Sequence, residues 1–300
     1  MLSRGVAYMA LSALGFSAMS VLVKLAAADL PTGEIVLARA AMTLVISYVM
    51  VKRANLSPWG KQRGKLLLRG FLGFSALACY YVALVRLPLA DATTLYYVQP
   101  LLTAILAWRI LGEPIGWATA FAIVCGIVGV LFVVHPGVGA VADPAGLVIA
   151  LVSATLSSIA YVTVRQLTSP QRQPDGTMRS GEHPLVIVFY FPLVATPLSV
   201  PWAAMDFVVP SATDWIWLVA IGCTTQIGQV FLTKGLAIER AGRATSIGYV
   251  QICFAIVWQL VIFGQTPALG TVGGAALIIA GTLAVSATAT RGAATPRTAT

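Results

Sequence analysis

One arginine lies inside a long apolar segment of this 300-residue chain. Arg39 is the only basic residue that the sequence places well within a predicted membrane span, roughly six residues or about 9 Å from its end. Ionisable groups in a membrane interior are costly and usually functional, and a guanidinium there can hold a carboxylate through paired hydrogen bonds. The sequence leaves an alternative equally open, in which Arg39 pairs with Asp29, Glu34 or Asp91, or with helix carbonyls.

Two glutamines occupy matching positions near the centre of two other predicted spans. Gln99 and Gln251 each lie about eight residues into their helices, and Tyr97 and Tyr249 come two residues earlier. An amide in lipid needs a hydrogen-bonding partner, so both side chains should face protein or a water-filled cavity. They bind a ligand there, or they bond to each other where two halves of the molecule meet. The packing role is slightly favoured, because a repeated residue often marks the interface between repeats.

Further aromatic and polar side chains are predicted at the same depth. Rings can stack on a ring, and hydroxyl groups can reach an amine or a carboxylate, so the set suits an amphipathic ligand. For any single residue, ordinary helix packing is the more frequent role. The candidate substrate-binding residues are Arg39, Tyr80, Tyr81, Tyr97, Gln99, Tyr161, Tyr190, Gln226, Gln229, Tyr249 and Gln251.

The composition requires these residues to be positioned by membrane helices. Hydrophobic residues make up 58% of the chain and charged residues only 10%, with a mean hydropathy of +0.88; soluble domains have about 25% charged residues. A transmembrane helix needs about 20 apolar residues. The sequence predicts an all-α polytopic membrane protein whose ten spans are 5–26, 33–51, 66–85, 90–111, 115–134, 145–166, 184–201, 214–234, 243–263 and 268–287.

The basic residues predict the orientation. If the N-terminus is cytoplasmic, all of the 19 basic residues except Lys24, Arg39 and Arg86 fall on the cytoplasmic side, and Arg69 at the start of the third span is counted with them. This bias places both termini in the cytoplasm. It also accounts for the net charge of +9 without nucleic-acid binding.

The sequence contains an internal repeat of two related halves. Tyr97-Val98-Gln99 returns as Tyr249-Val250-Gln251, and Gly112 returns as Gly264, both at a spacing of 152 residues. Five spans per unit is an odd number, so the second unit must cross the membrane in the opposite direction. The sequence therefore predicts a single transmembrane domain of two inverted five-helix repeats, 5–134 and 145–287. The loop 167–183 is interpreted as a mobile linker and residues 288–300 as a disordered cytoplasmic tail.

The fourth helix and its following turn resemble a known family. The run Ala90-Asp91-Ala92-Thr93-Thr94-Leu95-Tyr96-Tyr97-Val98-Gln99-Pro100-Leu101, the turn Leu111-Gly112-Glu113-Pro114 and the second-helix run Leu37-Ala38-Arg39-Ala40-Ala41 are similar to those of the EamA family of the drug/metabolite transporter superfamily. The second repeat departs from the pattern at Ile252, Gln265 and Tyr190. The resemblance implies an exporter in the bacterial inner membrane that works by alternating access. Within the family the chain resembles the aromatic amino acid exporters, which implies aromatic or hydrophobic amino acids as the leading substrate class.

Other functions remain open at this stage. A broad-specificity drug or metabolite exporter and a receptor or scaffold that transports nothing are the alternatives. An enzyme is disfavoured because the chain has no Walker loop and no His-Glu-x-x-His motif. All four cysteines lie in apolar runs, so neither a metal site nor a disulfide framework is predicted, and no cofactor is expected. No acidic residue lies deep in a predicted span; the chain is a uniporter or couples protons through a group such as Asp91.

The predicted orientation can be tested by labelling single cysteines in a cysteine-free background. Cysteines placed in 54–60 or 171–181 should react only with a reagent on the cytoplasmic side, and cysteines in 137–142 or 207–212 only with a reagent outside. Labelling of both groups from the same face would contradict the ten-span arrangement.

Overall fold

A computed structural model describes residues 4–96, 98–113, 115–134, 143–172, 178–264, 266 and 269–292. These residues form twelve helices and one pair of two-residue strands. The helices are α1 (Arg4–Ala26), α2 (Thr32–Arg53), α3 (Arg63–Arg86), α4 (Leu89–Tyr96), α5 (Gln99–Leu111), α6 (Trp117–Val134), α7 (Pro144–Thr168), α8 (Pro184–Ala203), α9 (Ala212–Ile238), α10 (Ala241–Ile247), α11 (Val250–Phe263) and α12 (Leu269–Gly292).

The helices match the ten predicted spans. Within the described residues, seven segments are long and apolar enough to cross a membrane, and one of them, Ala241–Phe263, contains both α10 and α11. Shorter apolar helices lie at Gln99–Leu111, Trp117–Gly129 and Val272–Gly281, where the remaining three spans were expected. The predicted fold class, an all-α polytopic membrane protein, is confirmed.

The fourth span of each repeat is interrupted at the same place. Val98, between α4 and α5, donates its N–H to the carbonyl oxygen of Leu95 at 3.2 Å. Gly248, between α10 and α11, donates to Thr245 at 3.0 Å, and Gln251 donates back to Gly248 at 2.9 Å. Bonds to the third preceding residue are those of a 3₁₀ turn, which is tighter than an α-helix. Each interrupted span thus sets Gln99 or Gln251 in the first turn of its second half.

The repeated glycines end these spans. Gly112 follows α5 with φ 64°, and Gly264 follows α11 with φ 62°. In this left-handed conformation a side chain is strained, so glycine is the usual residue at such a helix end. Their N–H groups close the caps by donating to the carbonyl oxygens of Ala107 and Gln259. The spacing of 152 residues therefore separates two helix ends that have the same conformation.

The repeats interlock through pairs of helices. α1 packs along α9 and its counterpart α7 packs along α3, while α2 packs on α8 and α6 on α12. Small residues bring α1 and α9 together: a Cβ atom at Gly15 would lie 3.0 Å from the backbone nitrogen of Gly228. The Ser12 hydroxyl donates to the Gly228 carbonyl at 2.9 Å. Small residues and hydroxyl bonds are the usual means of helix association in membranes.

The structure describes part of each of the two segments that were expected to be flexible. The segment 167–183, predicted to be a mobile linker, contains the antiparallel strands β1 (Gln171–Arg172) and β2 (Met178–Arg179). It is held further by Glu182, whose carboxylate accepts hydrogen bonds at 2.6 Å from the N–H groups of Lys61 and Gln62. Residues 288–292, which belong to the segment 288–300 predicted to be a disordered tail, lie in α12, which continues to Gly292. Residues 293–300 lie outside the described residues.

The contact between α1 and α9 predicts the effect of a single methyl group. Gly15→Ala should destabilise the protein by about 1–3 kcal/mol, because backbone atoms of α9 cannot rotate away from the new Cβ. The matched control is Gly64→Ala, where nothing lies within 4 Å and the gain in helix propensity is up to about 1 kcal/mol. Unfolding temperatures in detergent would measure both, and equal temperatures for the two variants would contradict the packing described.

Candidate functional site

A cavity lies in the middle of the bundle and contacts both repeats. Its volume is about 90 Å³. The cavity is therefore narrow, yet it has room for several waters or a small ligand. Its lining residues are Met9, Ser12, Ala13, Phe16, Met19, Arg39, Arg69, Gly73, Ala76, Leu77, Tyr80, Tyr96, Gln99, Ser157, Ala160, Tyr161, Phe191, Gln229, Leu232, Thr245, Gly248 and Gln251.

Arg39 lines this cavity from α2. Its side chain is 2% exposed, and its Nε donates to the hydroxyl of Thr225 at 2.9 Å. The guanidinium carbon lies 5.4 Å from the ring centre of Tyr81 and 5.5 Å from that of Phe191, within range for cation–π attraction. Its Nη1 has no hydrogen-bond partner among the described atoms.

The structural pairing considered for Arg39 is not observed among the described side chains. Asp29 is exposed, and the carboxylate of Glu34 accepts from the N–H of Val208 instead. The side chain of Asp91 lies outside the described part of the chain. Arg39 is thus held by a hydroxyl group and two rings rather than by a described acid.

A second buried arginine faces the same cavity. Arg69 is 2% exposed and lies on α3, six residues or about 9 Å after the helix begins. Its Nη2 donates to Oε1 of Gln229 at 3.2 Å, and its guanidinium carbon lies 4.9 Å from the ring centre of Phe191. Its Nε and Nη1 have no partner among the atoms the structure describes. The expectation that Arg39 is the only basic residue inside a span, with Arg69 at the membrane edge, is therefore wrong.

Gly73 leaves room for this second guanidinium. A Cβ atom at position 73 would overlap Nη1 of Arg69 and lie 2.8 Å from the ring of Phe191. One turn of helix separates Gly73 from Arg69, so the missing side chain opens the space that the arginine occupies. Glycine at this position therefore leaves room for the Arg69 side chain in the cavity wall.

Hydroxyl groups form another wall. Tyr96 donates to Ser157 at 3.0 Å, and its oxygen lies 3.3 Å from that of Tyr161. The ring centres of Tyr96 and Tyr80 are 4.7 Å apart, and the Tyr80 hydroxyl lies 3.2 Å from that of Ser20. These tyrosines place polar tips beside apolar ring faces.

The two glutamines of the interrupted spans also line the cavity. The amide of Gln99 donates to Thr103 Oγ1 at 2.6 Å, and its backbone carbonyl accepts from Ser158 at 3.0 Å. Gln251 is 4% exposed on the facing span. The Gln99 amide is thus oriented by its own helix, while its carbonyl connects α5 to α7.

Several predicted residues lie away from the cavity. Tyr81 donates to the sulfur of Met19 and supports Arg39 from behind. Tyr190 donates to the Trp59 carbonyl at 2.7 Å, and the Gln226 amide contacts Met50.

Two tyrosines complete the account of the predicted set. The Tyr249 ring lies against Gly126, where a Cβ atom would overlap it. Tyr97 lies outside the described residues. Of the predicted set, the structure brings together Arg39, Tyr80, Gln99, Tyr161, Gln229 and Gln251.

Sequence reasoning missed four residues that shape the site. Tyr96, Ser157 and Phe191 were not among the candidate residues, and Arg69 was counted with the cytoplasmic basic residues. Arg69 lies only three residues inside the predicted span 66–85, whereas α3 begins earlier, at Arg63, and places it six residues into the helix. Phe191 carries no signal in the sequence, because a phenylalanine in a membrane helix faces lipid as often as protein.

Ion pairs join loops and helix ends on either side of the cavity. Arg165 Nε donates to Glu113 at 2.8 Å, and the other oxygen of that carboxylate accepts from the N–H of Ala241. Arg86 pairs with Asp143 at 2.6 Å at the start of α7. The Arg86 hydrogen bond, followed by those from the α7 backbone, holds the pKa of the Asp143 carboxyl below its usual value.

Comparison with known proteins identifies the family. The EamA-like transporter family matches this chain twice, over residues 3–135 and 144–287. The chain belongs to the EamA-like transporter family. The two matches fall on the two halves that carry the interrupted spans. This EamA protein is a multi-pass membrane transporter.

Its relatives include transport proteins. The chain is 33% identical over 289 residues to the pseudopaline exporter CntI of Pseudomonas aeruginosa, covering 96% of this chain and 98% of that one. It is 29% identical to solute carrier family 35 member G1 of Mus musculus, covering 93% of this chain and 77% of the relative. A crystal structure at 18% identity superposes with a TM-score of 0.70 over 94% of this chain and 98% of the other, which shows the shared fold.

The space beside Gly73 predicts a selective functional loss. Gly73→Ala should raise the KM for a transported ligand about tenfold, because the new methyl group displaces the Arg69 guanidinium and the Phe191 ring. Purified yield should change much less, because the flexible Arg69 side chain can move into the cavity. Uptake into proteoliposomes measures the KM, and Gly64→Ala serves as the control in open space. An unchanged KM would show that the space beside Gly73 has no part in ligand binding.

Proposed function

We propose that this EamA protein exports small amphipathic metabolites that carry a carboxylate, by alternating access of the central cavity. Aromatic or hydrophobic amino acids are the first substrate class to test. The observation that carries the proposal is the buried Arg39 guanidinium, which faces a cavity with one N–H group unpartnered and aromatic rings around it. A guanidinium is suited to a carboxylate, and the rings of Tyr80 and Tyr96 suit an apolar or aromatic body.

The interrupted spans support the mechanism. Transporters built from inverted repeats bind their substrate near the membrane centre, where discontinuous helices meet. In this chain both discontinuous spans contribute a glutamine to the cavity wall. Rocking of one helix group against the other would open the cavity to the cytoplasm and then to the outside. The proposed location is the bacterial inner membrane, with both termini cytoplasmic.

The relatives favour a second substrate class. A bacterial relative that covers nearly the whole of this chain is named for the export of pseudopaline. Export of pseudopaline or of a related metabolite is therefore the second candidate. A broad-specificity exporter would accept both classes, and a receptor without transport would accept ligands but move none.

Flux measurements test the proposal. Purified protein in liposomes should move labelled tryptophan or phenylalanine without ATP, with saturation. Arg39→Ala should raise the apparent KM at least tenfold, whereas Arg39→Lys should retain part of the activity, because lysine keeps the charge but loses the planar fork. Tyr80→Ala and Gln229→Ala should also lower flux.

Trp117→Ala is the control for the variants of cavity residues. Trp117 is 85% exposed at the start of α6, so Trp117→Ala should leave flux nearly unchanged. Loss of flux in Trp117→Ala equal to that in Tyr80→Ala would count against the cavity. Absence of saturable flux for all aromatic and branched amino acids would reject that substrate class and leave the fold intact.

A further inference from the structure

Two buried guanidiniums face one cavity, and described protein groups satisfy only part of each. We propose that the preferred ligand carries two separate carboxylates, one held by Arg39 and the other by Arg69, together with an apolar or aromatic body. This inference rests on the proposed function and specifies its substrate class. A simple amino acid would fill only one of the two anionic positions.

The first argument is the balance of charge. Arg39 and Arg69 are each 2% exposed, and neither has a carboxylate within ion-pair distance among the described side chains. Both instead donate to neutral oxygens of α9, on Thr225 and Gln229. Two neighbouring positive charges in a membrane interior repel each other and lose hydration. Two negative charges on a ligand would remove both penalties.

The second argument is the count of unused donors. Arg39 leaves Nη1 without a partner, and Arg69 leaves Nε and Nη1 without one, among the atoms the structure describes. Buried N–H groups are rarely left unpaired, so each of these donors requires an explanation. The Nε–H of an arginine shares its edge of the planar guanidinium with Nη2, so the unused Nε and Nη1 of Arg69 are donors on different edges. Arg69 thus presents two unused donor atoms and Arg39 presents one, and each can bind an oxygen of a carboxylate.

The third argument is the spacing. Both guanidinium carbons lie beside the ring of Phe191, at 5.5 and 4.9 Å from its centre, so they are no further apart than the sum of these distances. Arg39 lies about 10 Å from the Thr32 end of α2, whereas Arg69 lies about 9 Å from the opposite face of the bundle, where α3 begins. The two charges approach one ring from different depths. This placement suits two groups several ångströms apart better than one compact dianion.

The rest of the lining suits the body of such a ligand. The Phe191 ring lies beside both arginines, and the cavity wall also contains the rings of Tyr80 and Tyr96 and aliphatic side chains such as Leu77. Hydroxyl groups on Ser157 and Tyr161 can accept or donate to a polar substituent. The cavity therefore combines two cationic positions with apolar and aromatic surface.

A ligand series on the unaltered protein tests the proposal directly. Benzylsuccinate has an aromatic ring and two carboxylates, its monomethyl ester has one, and phenyl phosphate has a ring and one dianionic group. Binding to detergent-purified protein would be measured by titration calorimetry near pH 7.5. Benzylsuccinate should bind at least tenfold more tightly than its monoester, as expected for an added charge-assisted hydrogen-bonded contact. Phenyl phosphate should bind no more tightly than the monoester.

Variants show whether the two arginines act separately. In Arg39→Gln and in Arg69→Gln the preference for benzylsuccinate over its monoester should fall to about onefold, because one carboxylate loses its partner. Both variants should unfold at the same temperature as the unaltered protein or higher, because each removes a buried charge that no described acid balances. Arg165→Gln is the contrasting control, since it breaks the ion pair with Glu113 and should lower the unfolding temperature.

The outcomes separate this inference from the proposed function. Equal binding of the diacid and the monoester overturns the two-carboxylate site, even if amino acid flux is normal. Tighter binding of phenyl phosphate than of benzylsuccinate also overturns it, in favour of a site for one dianion. A marked fall in unfolding temperature in Arg39→Gln and Arg69→Gln assigns the guanidiniums to structure and overturns it as well. Binding of benzylsuccinate without any flux in liposomes would instead refute transport and leave the two-carboxylate site standing.

Discussion

The structure depends on how two positive charges are accommodated inside an apolar bundle. The guanidiniums of Arg39 and Arg69 share one phenylalanine ring and reach neutral oxygens on α9, and no described acid balances them. An unpaired charge in a protein interior costs several kcal/mol, and more where hydrocarbon surrounds the protein. A wet cavity lowers that cost, since water or a ligand can solvate the unused N–H groups. The glycine at position 73 and the tyrosine hydroxyls on the opposite wall keep that cavity open and polar.

The same constraint explains where the backbone is irregular. Hydrocarbon cannot satisfy free N–H and carbonyl groups, so a membrane helix is interrupted only where it is covered by protein or lines a cavity. Both interruptions, at Val98 and at Gly248–Tyr249, adjoin residues of the cavity wall. Pro100 lies just after the first of these interruptions, but the second span is interrupted in the same way with Ile252 at the matching position. Proline is therefore not required for the turn, which both repeats close with bonds to the third preceding residue.

Sequence alone predicted the fold well and the site in part, for physical reasons. The lengths of the apolar segments predict the spans, the basic residues predict their orientation, and the spacing of 152 residues locates the repeats. The ten-span arrangement therefore follows from positions along the sequence alone. The depth of a residue in the membrane also follows from its position along the span. Gln99 and Gln251 were therefore predicted at mid-depth, and both line the cavity. The direction of a side chain depends on the neighbouring helices, so Tyr190 donates to the Trp59 carbonyl and Tyr249 lies against Gly126 instead of lining the cavity. Arg69 was misplaced because it lies close to the predicted end of its span and was counted with the basic residues of the cytoplasmic loop, although it lies six residues into α3.

The duplication provides a symmetric scaffold, but the charged chemistry of the cavity is asymmetric. Both arginines come from the first repeat, and Tyr190 of α8 stands near the position that corresponds to Arg39 in α2. Their protein hydrogen bonds cross to the second repeat, from Arg39 to Thr225 and from Arg69 to Gln229, both on α9. Any rocking motion that separates α9 from α2 and α3 must break both bonds at once. With an empty cavity that motion would leave two buried guanidiniums with still fewer partners, whereas a ligand bearing two carboxylates would keep both satisfied. The arrangement that favours an anionic ligand therefore also links occupancy of the cavity to the ease of the conformational change.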